Sequence, residues 1–175
     1  MPVAPIMAVL ALALPACRVD RAQPSGAPST TARCDAVQNP PLQAGEHLIG
    51  RRPPPVPYSS TPPTSGWHAS GAFEIAIVAP ERPLAEPQQV SVLEAGGVVV
   101  TYNALPGADR RQLERHVRER YDGRVAVTAY DPLPSGHVAF TAWGALQRCD
   151  AVDLAALDAF ASTYADPEPA VPGRQ

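Results

Sequence analysis

The sequence predicts an α+β domain: a single antiparallel-rich sheet with two helices packed on one face, preceded by a proline-rich N-terminal arm. Three observations carry this expectation. Short runs rich in valine and isoleucine recur between residues 72 and 143, and β-branched side chains lose little by being held extended. One segment, Asp109 to Tyr121, repeats its apolar residues every four positions, the period of a helix. Proline, 22 residues of 175, concentrates in residues 2–63 and 166–172, which leaves the compact part of the chain between them.

The elements follow in order. Ala72 to Ala79 sets Phe73, Ile75 and Ile77 against Glu74 and Ala76, an alternation that predicts a strand. Val90 to Leu93 reads as a second strand and Val98 to Tyr102 as a third, central one, with a Glu94-Ala95-Gly96-Gly97 break between them. In the central strand Val98, Val100 and Tyr102 point one way, and Val99 and Thr101 the other. The helix of residues 109–121 takes Asp109 as its cap, with Gln112 three residues on, and Gly123 as its stop. Its apolar stripe is Leu113, Val117 and Tyr121. Arg111, Arg115 and Arg118 share a face, but the spacings Glu114–Arg118 and Arg115–Glu119 make that a solvated, ion-paired surface rather than a phosphate site. His116 borders the stripe and reads as a packing residue. Val125 to Tyr130 and Val138 to Trp143, joined by Asp131-Pro132-Leu133-Pro134-Ser135-Gly136, read as an antiparallel hairpin. Asp150 is the expected cap of a last helix that buries Leu154, Leu157, Ala161 and Tyr164.

Upstream, residues 40–63 favour extended, polyproline-like backbone. The composition fits a stiff arm packed across the domain by Leu48, Ile49, Val56 and Tyr58 better than a ligand for a proline-reading module. Further upstream, residues 3–14 form an apolar run too short for a bilayer span, which takes roughly 20 residues. The run fits the core of a signal peptide over 1–16, although no Lys or Arg precedes it. It ends in Leu14-Pro15-Ala16-Cys17, which looks like a bacterial lipobox, so Cys17 is the expected lipidation site. Residues 17–33 then read as a flexible tether, 34–165 as the globular domain, and 166–175 as a disordered tail. The expected location is extracytoplasmic, anchored to the cell membrane by acylated Cys17, with an envelope protein as partner. Outside the cytoplasm Cys34 and Cys149 form an even pair, and a disulfide between them is expected.

Composition excludes several activities. The net charge is -3, with a pI near 5.8, which gives no electrostatic case for nucleic acid. All 14 basic residues are arginine, so Schiff-base and lysine-nucleophile chemistry is excluded. There is no Gly-x-Ser-x-Gly elbow, phosphate loop, His-Glu-x-x-His or paired-cysteine zinc spacing. The four histidines, His47, His68, His116 and His137, are scattered singly. Pro62-Pro63-Thr64-Ser65-Gly66-Trp67-His68 makes a turn from which Trp67 and His68 emerge together. With Ser65 and Glu94 they are the candidate binding residues.

Several stretches resemble a bacterial family, the domain of unknown function 3105. They are Tyr58, Pro62 to His68, Leu93-Glu94-x-Gly96-Gly97-Val98-Val99, Tyr102-Asn103 and Thr141-Ala142-Trp143-Gly144. The resemblance covers roughly residues 45–165 and implies an exported or membrane-anchored protein without a settled activity. The family's usual pattern looks like His-x-Leu-Glu-His-Gly around the central stretch, which with Ser-Gly-x-His resembles a set of metal ligands. This chain keeps His68 and Glu94 but has Ser91 and Ala95 where those two histidines would fall. The residues therefore imply a lipid-anchored, non-catalytic binding or structural envelope domain without a cofactor, since a lone imidazole cannot build a closed site. Two alternatives stay open: a copper- or zinc-binding protein using His68 and Glu94, and an unrecognised hydrolase. The only methionines, Met1 and Met7, lie in the signal segment, so a thioether copper(I) site is excluded from the exported form.

Overall fold

The computed structural model describes Met1 and residues 32–50, 52–71 and 73–168. The expected signal segment past Met1, Cys17, the tether up to residue 31 and the tail from residue 169 lie outside the described residues. Among the described residues no helix is long and apolar enough to cross a membrane.

In chain order the elements are β1 (His47–Leu48), β2 (His68–Ala69), α1 (Glu86–Glu94), β3 (Val98–Tyr102), α2 (Gly107–Arg120), β4 (Val125–Ala129), β5 (Val138–Ala142), β6 (Ala145–Cys149) and α3 (Leu154–Tyr164). The α+β class holds, but two details are corrected. Among the described residues there are two sheets, a four-stranded one in the order β4-β3-β5-β6 and a parallel pair β1-β2, and three helices rather than two.

β3 is the central strand, and its alternation sorts the core. Val98, Val100 and Tyr102 face α2 and α3, where they meet Leu113, Val117, Leu157 and Phe160. Val99 faces the other way, with Ala126 of β4, onto Val92 and Leu93 of α1 and onto Ile75. Helices therefore cover both faces of the sheet, not one.

The expected hairpin of β4 and β5 does not form. β4 pairs with β3 in parallel, Val98 beside Val125 through Tyr102 beside Ala129, and β5 pairs with β3 antiparallel on its other side. The reason lies in α2: a strand, a helix and a strand in succession return the chain parallel to its start. The segment 131–137 then only has to cross the end of β3, where Asn103 holds it. The Asn103 amide donates to the carbonyls of Asp131 (3.1 Å) and Leu133 (2.6 Å), and the Asn103 carbonyl accepts from Gly136 N–H (2.8 Å). The hairpin that does form joins β5 to β6 through Trp143 and Gly144, with Ala142 beside Ala145 and Gly144 at φ +70°. No strand was expected at β6. Its free edge is covered by residues 34–38, and Cys34 and Cys149 are joined there by a disulfide.

Val90 to Leu93 is helical, not extended. Pro87 in the first turn suits a helix start, and the Gln88 side chain accepts from Ala85 N–H at 2.9 Å. The segment around Ile75 and Ile77 is no full strand; it touches β4 through one parallel bridge, Ile77 to Val127. Of the arm residues expected to pack, Leu48 is buried, whereas Ile49 and Val56 are exposed. Tyr58 is half-buried and donates to the Trp67 carbonyl at 2.6 Å.

α2 begins two residues before the expected Asp109 and has no side-chain cap. Its one i,i+4 ion pair among the described residues is Arg110–Glu114, not either of the two expected. α3 is capped by Asp153, whose side chain accepts from Ala156 N–H, rather than by Asp150. Phe160 joins Leu157 and Ala161 on its buried side.

His116 does more than pack. Its Nε2 and the Tyr121 hydroxyl both lie 2.7 Å from Asp158 Oδ1, which ties α2 to α3. Burial alone would raise the Asp158 carboxyl, but hydrogen bonds from His116 and Tyr121, with the charges of His116 and Arg120, hold it below its ordinary 3.8. A depressed carboxyl stabilises the fold fully above that ordinary value and loses the contribution as pH falls through the folded-state value. Asp158→Asn should cost about 1 kcal/mol at pH 7, the worth of a charge-assisted bond discounted for partial exposure. Urea unfolding at pH 7 and pH 3 checks this: parent and variant should differ less at the lower pH.

Candidate metal centre

The site forms where the arm crosses the end of α1. β1 and β2 pair in parallel with His47 beside His68 and Leu48 beside Ala69. Two glycines allow this approach. A Cβ on Gly45 would sit 2.0 Å from the Gly66 carbonyl carbon, so the two backbones touch directly. Gly66 itself stands at φ +110°, a backbone conformation that favours glycine. The turn 62–66 is buried throughout, and its Thr64 carbonyl accepts from Gly144 N–H at 2.9 Å, which seats it on the β5-β6 turn.

His68 is 3% exposed. Its Nδ1 lies 3.0 Å from the Gly66 carbonyl. A carbonyl only accepts, so Nδ1 carries the proton, and in the neutral ring Nε2 is left with a bare lone pair. That Nε2 lies 3.0 Å from Glu94 Oε2. The carboxylate is close enough for an ion pair but lies off the direction of a ring N–H bond, so Nε2 has no hydrogen-bond partner. With the ring neutral, two acceptor atoms face each other at contact distance; a proton on Nε2, which makes an ion pair with Glu94, or a metal cation beside the two would relieve them.

His47 supplies a third candidate ligand. Its ring stands edge-on to that of His68, with centroids 4.4 Å apart and planes at 72°. One ligating atom each from His47, His68 and Glu94 lies within 4.8 Å of the others. A tetrahedral ion with ligands near 2.1 Å holds them about 3.4 Å apart. Both His47 and Glu94 are exposed and free to close that difference, while His68 is fixed.

Beside the three ligands is a cavity of about 220 Å³, lined by His47, Ala69, Gly71, Phe73, Ser91, Glu94 and Ala95. Ser91, Glu94 and Ala95 come to one side because α1 and its C-cap are helical, which puts positions three and four apart together. The Ser91 hydroxyl lies 2.9 Å from the Ala69 carbonyl and 3.0 Å from the Pro87 carbonyl, so its one proton is already engaged.

Of the residues singled out from the sequence, His68 and Glu94 meet. Ser65 and Trp67 do not join them. Ser65 is fully buried and accepts from Gln43 N–H at 2.9 Å, and the Trp67 backbone carbonyl holds Tyr58. His47 was missed, for nothing in its spacing from residue 68 announces a parallel pairing.

Fold and site together define an α+β domain with a three-residue nitrogen–oxygen cluster of metal-ligand type. Residues 52–175 match the family described as "Protein of unknown function (DUF3105)", and the chain belongs to it. His47 lies outside the matched segment. No curated protein and no solved structure matches the chain.

Gly45→Ala tests the backbone contact that brings the histidines together. The added methyl must push β1 from β2, at a cost of about 1–3 kcal/mol for overpacking. A thermal or urea midpoint lowered to that extent is expected, and an unchanged midpoint would show that the arm has room there.

Proposed function

We propose that this chain is an exported, lipid-anchored domain that binds one divalent transition-metal ion through His47, His68 and Glu94. The observation that carries the reading is the buried His68 Nε2, its proton placed on the opposite nitrogen and its lone pair set against a carboxylate oxygen. Two imidazoles and a carboxylate suit zinc(II) and copper(II), with copper(II) the tighter. The site supplies three ligands, two of them exposed, and so fits a moderately held, exchangeable ion better than a structural one. Among the residues lining the cavity there is no further carboxylate or imidazole to serve as a general base, which favours binding over hydrolysis.

Calorimetric titration of the tag-free protein with zinc(II) and copper(II) tests this. One ion per chain is expected in the parent, and binding should be lost in His68→Ala and in Glu94→Gln. Absence of binding by a folded parent would overturn the reading. Ser91→His with Ala95→His adds two imidazoles facing the same cavity and should tighten binding by about tenfold or more, that is by at least about 1.4 kcal/mol.

The location is proposed from the sequence. The apolar run ending at Cys17 supports export and acylation, and the Cys34–Cys149 disulfide fits an oxidising compartment. The domain would then work at the membrane surface beside an envelope partner. Cys17→Ala should release the protein from the membrane fraction or block its processing. A variant that fractionates and is processed like the parent would remove the anchor from the proposal.

A further inference from the structure

We infer that the uncharged surface around Trp143 and Leu42 lies on the lipid bilayer, with Trp143 at the boundary between headgroups and acyl chains. The inference rests on the lipid anchoring proposed above and adds the face that meets the membrane.

Three stretches of chain meet at this surface. At the β5-β6 turn the Gly144 carbonyl accepts from the Asn39 side chain at 3.1 Å, and Gly144 N–H donates to the Thr64 carbonyl at 2.9 Å. Leu42 lies against the same glycine, where an added Cβ would sit 2.9 Å from its Cδ2. Beside Leu42, the Gln43 side chain donates to the Pro57 carbonyl (2.9 Å) and accepts from Ser59 N–H (2.7 Å), and the Ser59 hydroxyl donates to the Pro41 carbonyl (2.7 Å). The arm, the segment 57–66 and the hairpin turn are therefore continuous. On them Leu42 is 65% exposed and Trp143 43%.

Two properties of the surface fit lipid better than a protein partner. The first is charge. Charged residues make up 18% of the chain, yet no Asp, Glu or Arg occurs in 36–45, 53–67 or 132–147, the stretches to which these residues belong. Taking an ionised side chain out of water is costly, and here there is none to take. Charged side chains meet these stretches from the sides. Arg148 binds the Thr61 carbonyl and the Gln38 side chain, and an arginine at such a rim suits phosphate headgroups. Glu86 lies beside Val56 and Tyr58 and already accepts from the Tyr130 hydroxyl. The second property is hydrogen bonding. Asn39, Gln43 and Ser59 are spent on backbone groups of the surface itself. They leave little to specify a protein partner, and they satisfy the backbone as contact with lipid requires. An exposed tryptophan, apolar in body and polar at one edge, belongs at that boundary.

The reach of the chain agrees. The tether expected over residues 17–33 would span about 20–25 Å on average. From Cys34, where the domain begins, the arm to Leu42 covers at most about 26–29 Å. Lengths so similar let an anchored domain bring this face to the surface, and a tether that matches its span gives the highest effective concentration there.

The experiment expresses the full sequence in a bacterium and separates soluble from membrane fractions. Protein absent from the membrane fraction defeats the anchoring reading, and the inference with it. Membrane-borne protein is purified in detergent and reconstituted into phosphatidylcholine vesicles, in one arm with ordinary acyl chains and in the other with chains brominated close to the headgroup. Bromine quenches tryptophan on contact. The chain has two tryptophans, Trp67 and Trp143, and Trp143→Phe separates them. Bromolipid should lower the emission of Trp143, taken as parent less Trp143→Phe, by about twofold or more if the indole sits at the boundary. Anchored protein whose Trp143 emission is undiminished overturns the inference and leaves the anchoring standing. Leu42→Glu, at an exposed position and checked for folding by circular dichroism, puts a charge on the surface without touching the anchor. It should stay in the membrane fraction and lose the quenching; quenching retained in that variant would overturn the placement. A photoreactive amino acid in place of Trp143, irradiated in whole cells, should give lipid adducts. A protein adduct instead, from a second copy or another chain, would assign the surface to a protein partner and overturn the inference.

Discussion

Burying five consecutive residues of a helix requires neighbours on every side, and Gln89 to Leu93 of α1 have them. Val92 and Leu93 press on the sheet through Val99 and Ala126. Ser91 turns the other way and binds the Ala69 carbonyl of β2. At the N-terminal end Glu86 accepts from the Tyr130 hydroxyl; burial first, and then that bond, push the Tyr130 hydroxyl well above its ordinary value. At the C-terminal end Glu94 reaches His68. The helix is too short to be stable alone, so its conformation is a product of these contacts. It in turn braces the arm, since β2 lies against α1.

This explains why α1 was illegible in the sequence. A helix reveals itself through a polar face, and α1 has none, so Val90, Val92 and Leu93 read as an alternating strand. The local signals for the helix were Pro87 in its first turn and Gln88 reaching back to Ala85, and β-branched composition outweighed them. α2, with Leu113 and Val117 on one side and arginines on the other, was legible for the opposite reason. The strand character of β3, β4 and β5 was also readable, because alternation is local. Their pairing was not, because periodicity says nothing about which edge a strand joins. The order strand, helix, strand at β3-α2-β4 contained the needed rule, since a crossover helix returns the next strand parallel. β6 was hidden by its composition, as Ala145, Gln147 and Arg148 carry little β preference.

The site was half legible. His68 could be singled out because it follows a turn, and Glu94 because it opens the Glu94-Ala95-Gly96-Gly97 break and lies in the stretch that carries the family resemblance. The Cys34–Cys149 pairing followed from setting Cys17 aside as the expected lipidation site, which leaves an even pair. His47 could not be found in the same way, because its role depends on a two-residue parallel pairing whose partner is 21 positions away. The determinant of that pairing is Gly45, which lacks the methyl group that would hold the strands apart. A glycine in a proline-rich arm looks like punctuation, and only the touching backbones give it a function.

The division of labour among the three candidate ligands follows from where each is anchored. His68 is the fixed member. Its ring is buried, its Nδ1 is spent on the Gly66 carbonyl, and the turn carrying it is seated on the sheet, so the direction of its Nε2 is set before any ion arrives. His47 lies on a two-residue strand and Glu94 at a helix end, both open to water, so each can swing and each keeps its solvation until an ion is present. A site made wholly of fixed, buried ligands would hold Nε2 against a carboxylate with no water to relieve either, a costly arrangement without its ion. With two candidate ligands exposed the domain can fold without an ion, and the ion proposed above would be taken up later. The same exposure would leave that ion reached from solvent, which would limit affinity on the side where exchange is easiest.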